Sequence, residues 1–430
     1  MITDMLNDDK PDDAWTKTLV ERAIKEGDDA RKAFEDNRAI EHYRAAVNAA
    51  ETHNVEDDIK RLQINALRKQ AEASWHSRPW DETHALLIKA LELAESLEDR
   101  YPEAKVLYDL GRASTGDKAT SYFRQSLLQF QSIGDAIGQG ECLLSLAMMS
   151  ALEQNFVQSE EYVRSALPLF VEASSKSWEA VCRAFLRTLA ELKASDDCAI
   201  LRWTATCDVW EETDCRLRFA SSPGFAVTNS DVPSEAAMWS MTWHMSRAGG
   251  YLDPPSSSET GHSSASQSFT GNPLTSRVTI LSTSEEIECP AGRFSGCILT
   301  EQMTQKAKRD VSATELAERL NLQLCCGVVQ TWYAPGVGIV RVHVSPAEGD
   351  DDTIELESYS VSSENADSYF PRAIGNAWTY GWKGVPQEYR ASEHYRIMDR
   401  ADNKWYVEAW GVVTKQPGLP DCLPPKNRVS

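Results

Sequence analysis

Positive charge is what this 430-residue chain has least of: 44 Lys and Arg stand against 65 Asp and Glu, a formal net charge of -21. Such an excess of acid repels nucleic acid and anionic lipid, so neither is an expected partner. Long hydrophobic runs are also missing, since no stretch approaches the roughly 18 apolar residues that span a bilayer. The opening MITDMLNDDKPDDAW has neither a basic nor an apolar segment and does not read as a secretory signal, so a cytoplasmic chain is expected. Cysteine is present without a framework: the ten thiols show no recurrent spacing and no C-x-x-C pair, which argues against disulfide stapling and structural zinc. No G-x-S-x-G, Walker loop or H-E-x-x-H occurs. The acidic EGDDDT at 348–353 lacks the spaced ligands of a calcium loop. Cys289 with His244 or His343 is a thiol–imidazole pair only if folding brings them together. No metal, cofactor or catalytic residue is therefore assigned. An undetected hydrolase is the most distant reading.

What is there, up to about residue 195, is Ala, Leu, Glu and Arg with apolar positions three and four apart, the period of amphipathic helices. Helices are expected over 16–37, 38–53, 58–76, 81–98, 101–113, 117–133, 135–153, 156–173 and 175–195. Two columns repeat. A small residue before an aliphatic one recurs as Ala46-Val47, Ala90-Leu91, Ser126-Leu127 and Ala166-Leu167, at steps of 44, 36 and 40. Leu67, Leu110, Leu146 and Leu186 step by 43, 36 and 40. Two columns sharing one irregular spacing define a repeated helical hairpin, which must stack on its neighbours to bury its apolar face.

Residues 126–170, SLLQFQSIGDAIGQGECLLSLAMMSALEQNFVQSEEYVRSALPLF, resemble tetratricopeptide repeats of the longer-helix kind, carried by Leu146-Ala147, Leu110-Gly111 and the small residues of the second helices. The resemblance covers about 30–195 and departs from the short consensus in its irregular lengths and missing Trp and Pro. It implies a right-handed solenoid whose concave face holds a peptide or protein segment. Arg68, Arg112, Arg183 and Arg187 lie near the leucine column and are the candidate peptide-binding residues, suited to an acidic segment or a terminal carboxylate. The competing reading pairs them with neighbouring Asp and Glu on a solvated surface. The last helix, KSWEAVCRAFLRTLAELKA, is expected to cap the stack.

Past residue 196 the periodicity turns to alternation, and nine of the thirteen Trp lie beyond residue 200, a shift toward half-buried strands. Strands are expected at 276–290, 292–303, 327–334, 336–346 and 352–361, with one helix at 311–324 and a mobile Ser-rich loop at 253–269 holding His262. The fold class expected is α+β: an all-α solenoid followed by an antiparallel β-rich domain with one helix. Its divisions are a disordered acidic 1–15, helical repeats over 16–195, the β domain over 196–365 and a tail over 366–430. Pro335-Gly336 in APGVG suits the centre of a type II turn and no phosphate loop, because strand alternation follows it. CPAGRFSGC, TWYAPGVGIVRV and ELESY are similar to a β-rich module of bacterial proteins of unknown function, often exported ones. YFPRAIGNAWTYGW usually opens that module but here comes late, so 366–430 is expected to be an incomplete second copy docking on the first, whose own start is MWSMTWHM at 238–245. Trp332, Tyr333, Trp378, Tyr380, Trp382, Trp405 and Trp410 either line an apolar pocket or pack as sheet pairs. The preferred function is a non-enzymatic protein-binding scaffold. The alternative is a β module for a small apolar ligand, tethered through the solenoid. Oligomeric state is not legible.

Overall fold

The structure, a computed structural model, describes residues 13–32, 36–52, 56–74, 80–194, 199–213, 216–221, 224–228, 262–267, 273–306, 327–346, 351–362, 368–369, 371–383 and 389–415. The chain divides into two compact units, Met1–Ser174 with Gln267–Asn272, and Ser175–Ser266 with Pro273–Ser430.

The first unit is built from α1 (Asp13–Lys32), α2 (Asp36–Glu51), α3 (Asp57–Ser74), α4 (Trp80–Glu95), α5 (Arg100–Arg112), α6 (Gly116–Ile133), α7 (Ala136–Leu152) and α8 (Phe156–Glu172). Local chemistry sets their ends. The side chains of Asp99, Asp135 and Asn155 accept from the amides of Tyr101, Gly138 and Gln158 at 3.0, 3.1 and 3.2 Å, which satisfies donors that a helix start leaves open. α6 stops at Gly134, whose φ of 74° lets its own amide and that of Asp135 bond back to Gln131 and Phe130.

Consecutive helices pack on one another, and α3 also touches both α1 and α5. The even helices carry more of the repeat than the sequence columns alone reveal. Ala39, Thr83, Ala119 and Ser159 share the steps of 44, 36 and 40, and so do Tyr43, Leu87, Phe123 and Val163, and Ala50, Ala94, Phe130 and Phe170. Every one of these, with Ala46, Ala90, Ser126 and Ala166, is at most 1 % exposed. The odd helices answer with Leu67, Leu110 and Leu146, all buried. Close approach needs glycine at a few contacts: a Cβ on Gly111 would stand 2.5 Å from the Phe123 ring, and one on Gly140 2.5 Å from Phe170. This is a tetratricopeptide-like stack of helical hairpins.

The second unit begins with α9 (Lys176–Ala194) and continues as β1 (Ala199–Thr213), β2 (Arg216–Ser221), β3 (Gly224–Thr228), β4 (His262–Gln267), β5 (Pro273–Cys289), β6 (Gly292–Lys306), β7 (Gly327–Ala334), β8 (Gly338–Pro346), β9 (Asp352–Ser360), β10 (Ala377–Trp382), β11 (Tyr389–Ala401) and β12 (Lys404–Lys415). They form one sheet in the order β2-β1-β12-β11-β10-β9-β8-β7-β6-β5-β4, with β3 also paired to β1. β4 through β12 is thus a meander. The sheet curls so that Trp210 of β1 shares a core with Ile287, Cys297, Tyr333, Ile339, Leu356 and Trp378. The β5–β6 end reaches β9, where the Ala291 amide donates to the Leu356 carbonyl at 3.1 Å.

Several placements differ from expectation. Of residues 366–430, Ala377–Trp382, Tyr389–Ala401 and Lys404–Lys415 enter the same sheet as β10–β12, and β12 pairs with β1 along its length, from Ala199 opposite Lys415 to Glu211 opposite Lys404. α9 lies on β1 and β12 within the sheet unit, where Phe185 stacks on Trp203 with ring centroids 5.1 Å apart and the Thr188 hydroxyl donates to the Thr204 carbonyl at 2.7 Å. Residues 262–267 of the Ser-rich segment form β4, paired at the sheet's edge, and 13–15 already belong to α1. The Pro-Gly turn is as expected: the Val337 amide bonds back to Ala334 at 3.2 Å, with φ 71° at Gly336 and 108° at Gly338. The expected helix at 311–324, the MWSMTWHM stretch and His244 lie outside the described residues.

Candidate functional site

The sequence candidates fall in three places. The first is the wall of odd helices. Its cross-repeat contacts are ion pairs near the repeat spacing: Lys17–Asp58 at 2.7 Å, Arg31–Glu72 at 2.9 Å, Arg68–Asp109 at 2.6 Å and Lys105–Glu141 at 3.3 Å, with Lys69 on Asp28 as well. α1, α3, α5 and α7 are laced by charge on the outside of a buried leucine column. The approach of α3 to both α1 and α5 is what the inner wall of a curved stack requires.

Arg68 marks the rung with the most buried carboxylate. Asp109 occupies the column in which Ala23, Ala66 and Ser145 stand, so a carboxylate sits where small residues otherwise pack. Burial pushes its carboxyl above the usual carboxylate range, and the charges of Arg68 and then Arg112 pull it partly back. Arg112, one turn along α5, is exposed. Beside it, burial also raises the Tyr108 phenol, which accepts from Ser145 at 3.5 Å. The structure therefore brings Arg68, Asp109 and Arg112 together.

Arg183 and Arg187 lie elsewhere, on the face of α9 that meets the sheet. Lys176 pairs with Asp399 at 2.9 Å, Arg183 with Glu179 at 2.6 Å, and Arg187 with the buried Glu408 at 2.9 Å. The Arg187 guanidinium also stands 4.9 Å over the Trp410 ring. Trp410 donates its indole N–H to Glu191 at 2.8 Å and stacks on His394 at 5.0 Å. Burial, then the Arg187 charge, pushes His394 down to about 4. Its neutral ring suits its partners, with Nδ1 facing the Thr379 hydroxyl at 3.0 Å and Nε2 facing Glu191 at 3.3 Å. The four-residue spacing of the arginines was legible; the sheet as the thing they face was not.

The aromatic candidates lie in the sheet unit. Tyr333, Trp378, Tyr380, Trp382 and Trp405 belong to one buried core, Trp332 packs against it partly exposed, and Trp410 stands apart under α9. Trp378 donates to the Val337 carbonyl at 2.7 Å and Tyr380 to the Ile339 carbonyl at 3.0 Å, so their polar tips hold the β7–β8 turn to β10. Tyr380 meets Tyr395 edge-on at 5.9 Å. These contacts are those of a sheet interior. His343 is occupied by Thr353 at 2.9 Å and Ser345 at 3.3 Å, while burial holds the Cys289 thiol above its ordinary value.

No family model and no curated protein matches the chain. Solved structures do. A STAND ATPase with a tetratricopeptide repeat sensor from Pyrococcus horikoshii matches 39 % of this chain and 27 % of its own at 15 % identity and a TM-score of 0.33. A Rap protein complexed with competence and sporulation factor matches over 42 % and 50 %, at 16 % and 0.38. The TPR2AB domain of yeast Sti1, in a pHSP90 complex, matches over 41 % and 86 %, at 16 % and 0.22. The chain thus spans half or less of the first two. No helix among the described residues is long and apolar enough to cross a membrane.

Proposed function

We propose that this chain is a non-enzymatic scaffold whose odd-helix wall holds a peptide or protein segment. The observation that carries the reading is the cross-repeat charge ladder. In a chain of net charge -21, the wall formed by α1, α3, α5 and α7 keeps its cations matched to its carboxylates, so a charged segment can approach it without the repulsion the rest of the chain presents. At its centre Arg68 and Arg112 flank Asp109, and a carboxylate of an acidic partner competes there with a side chain that burial already disfavours as an anion. The buried columns of the even helices stack that wall repeat on repeat. The free buried thiols, Cys142, Cys182, Cys207, Cys289 and Cys297, support a reducing, cytoplasmic setting.

The test uses the full chain, a peptide selected from a random library for binding to it, and lysine cross-linking read by mass spectrometry. Cross-links concentrated on Lys17, Lys69 and Lys105 of the odd helices are expected. Cross-links confined to Lys89 and Lys118 of the even helices, or to the sheet, overturn the reading.

A further inference from the structure

The central rung of the odd-helix wall holds its carboxylate against burial. Arg68 Nε of α3 donates to Asp109 Oδ2 of α5 at 2.6 Å, and only 13 % of the aspartate side chain is exposed. The equivalent positions of α1, α3 and α7 are Ala23, Ala66 and Ser145, all buried, so Asp109 stands in a column of small side chains rather than in water. The charges that act on it most come from two helices: Arg68 and Glu72 of α3, and Arg112 of its own. Glu72 is itself held by Arg31 at 2.9 Å. Glu141 of α7 acts on Tyr108 and pairs with Lys105 at 3.3 Å. α6 meets α5 through Phe123 and Ser126, and α4 through an apolar cluster that includes Ala90, Val106 and Leu110. Two cations therefore favour the Asp109 anion, and one of them, Arg112, is exposed to a docking partner.

We propose that Asp109 takes up a proton when an acidic segment docks, so that the wall binds such a segment more tightly as pH falls; this rests on the odd-helix wall being the docking face. Three effects of docking push the same way. A carboxylate on Arg112 neutralises one of the two cations that stabilise the Asp109 anion. It also brings a second negative charge to the rung, and two carboxylates in a shielded site share a proton more readily than both ionise. The docked chain then covers what remains of the aspartate's exposed surface and takes water from it. Once protonated, Asp109 has an O–H to donate to the partner's carboxylate. Linkage fixes the sign: a group that holds its proton more tightly in the complex strengthens the complex as pH falls, by at most about tenfold per pH unit for one proton.

Hexaglutamate, blocked at both ends, is titrated by calorimetry into the full chain between about pH 5.5 and 8, in two buffers of different ionisation heat at each pH. Asp109→Asn is measured alongside, and its profile subtracts the titration of the peptide and of the rest of the chain. The parent is expected to take up a proton and to lose affinity at least about tenfold across the range. Asp109→Asn should lose the share of uptake that belongs to this site and bind at least about tenfold tighter than the parent at about pH 8. Asp109→Ser, the side chain found at position 145, serves if melting curves show that the asparagine variant does not fold. Equal uptake and equal pH profiles in parent and variant overturn the proposal and leave the wall as a docking face. Binding by neither protein overturns it as well, while the wall itself is judged by its lysine cross-links.

Discussion

The two units bury their apolar residues in opposite ways. In the helical unit the core comes as several clusters along the stack, a large one from Val20 of α1 to Ala113 at the end of α5 and smaller ones such as Phe123 with Leu146 and Met149, or Phe130 with Ala104 and Cys142. In the sheet unit one cluster gathers residues from Trp210 to Val413, and β1 pairs with β12 some two hundred residues away. The first core is closed by near neighbours and is close to a sum of parts; the second exists only when both ends of its sequence have met. Damage should stay local in one and spread in the other.

The largest expected effect tests the spreading. Trp378→Ala removes a buried ring and the hydrogen bond that holds the Val337 carbonyl, and should destabilise the sheet unit by about 3–5 kcal/mol. Urea unfolding followed by tryptophan fluorescence should move to lower denaturant, while the far-UV circular dichroism of the helices keeps its own transition. If the helical transition shifts equally, the two cores are one cooperative unit and the contrast fails.

Gly140→Ala tests locality. Alanine favours the helix by about 1 kcal/mol, but its methyl would stand 2.5 Å from the Phe170 ring, an overpacking that costs about 1–3 kcal/mol, and the clash wins. Amide exchange should rise in α7 and α8 and stay unchanged in α1 and α2. Phe170→Leu, made in the same chain, should recover part of the loss. Uniform loss of protection across all eight helices would show that this core is as cooperative as the sheet.

That contrast also explains what the sequence could disclose. The columns at Ala46 and Leu67 were legible because a helix writes its buried face every three or four residues, and the strands 327–334 and 352–361 because alternation is equally local. The pairing of β1 with β12 leaves no period, so 366–430 read as a broken second module. Leu186 keeps the spacing of the leucine column, yet α9 lies on the sheet, since spacing records which face of a helix is apolar and not what covers it. For the site, Arg68 was legible as a cation near the groove. Its partner Asp109, 41 residues on, was hidden because a lone acid in a small-residue column resembles any other acid.

Arg68→Ala ranks next, at about 1–2 kcal/mol at neutral pH, because Asp109 is left half-stranded with only 13 % of its side chain exposed. Its pH dependence has a definite sign. A carboxyl raised by burial binds its proton more tightly folded than unfolded, so its favourable contribution is complete below the ordinary carboxylate pKa and is lost as pH rises through the folded value. Removing the Arg68 charge lifts that folded value further. The variant should therefore lose more stability between about pH 4 and 7 than the parent, and Asp109→Asn should flatten the difference. Denaturant midpoints at the two pH values decide it; a parallel loss at both would mean the pair acts through packing alone.

The smallest effect is expected at a pair of the same length in the same unit. Arg164 meets Glu160 at 2.6 Å, as Arg68 meets Asp109, but one turn away on α8 and with 66 % of the arginine side chain exposed. Water screens both charges, and ordering two long side chains offsets most of the attraction, so Arg164→Ala should cost no more than about 0.5 kcal/mol. That small cost should vanish in concentrated salt, whereas the loss in Arg68→Ala persists because its partner is shielded from ions. Equal losses in the two variants would mean that burial of the carboxylate is not what distinguishes the central rung. The charge-matched wall would then be an ordinary solvated surface, with no more claim to a partner than the outer face of α8.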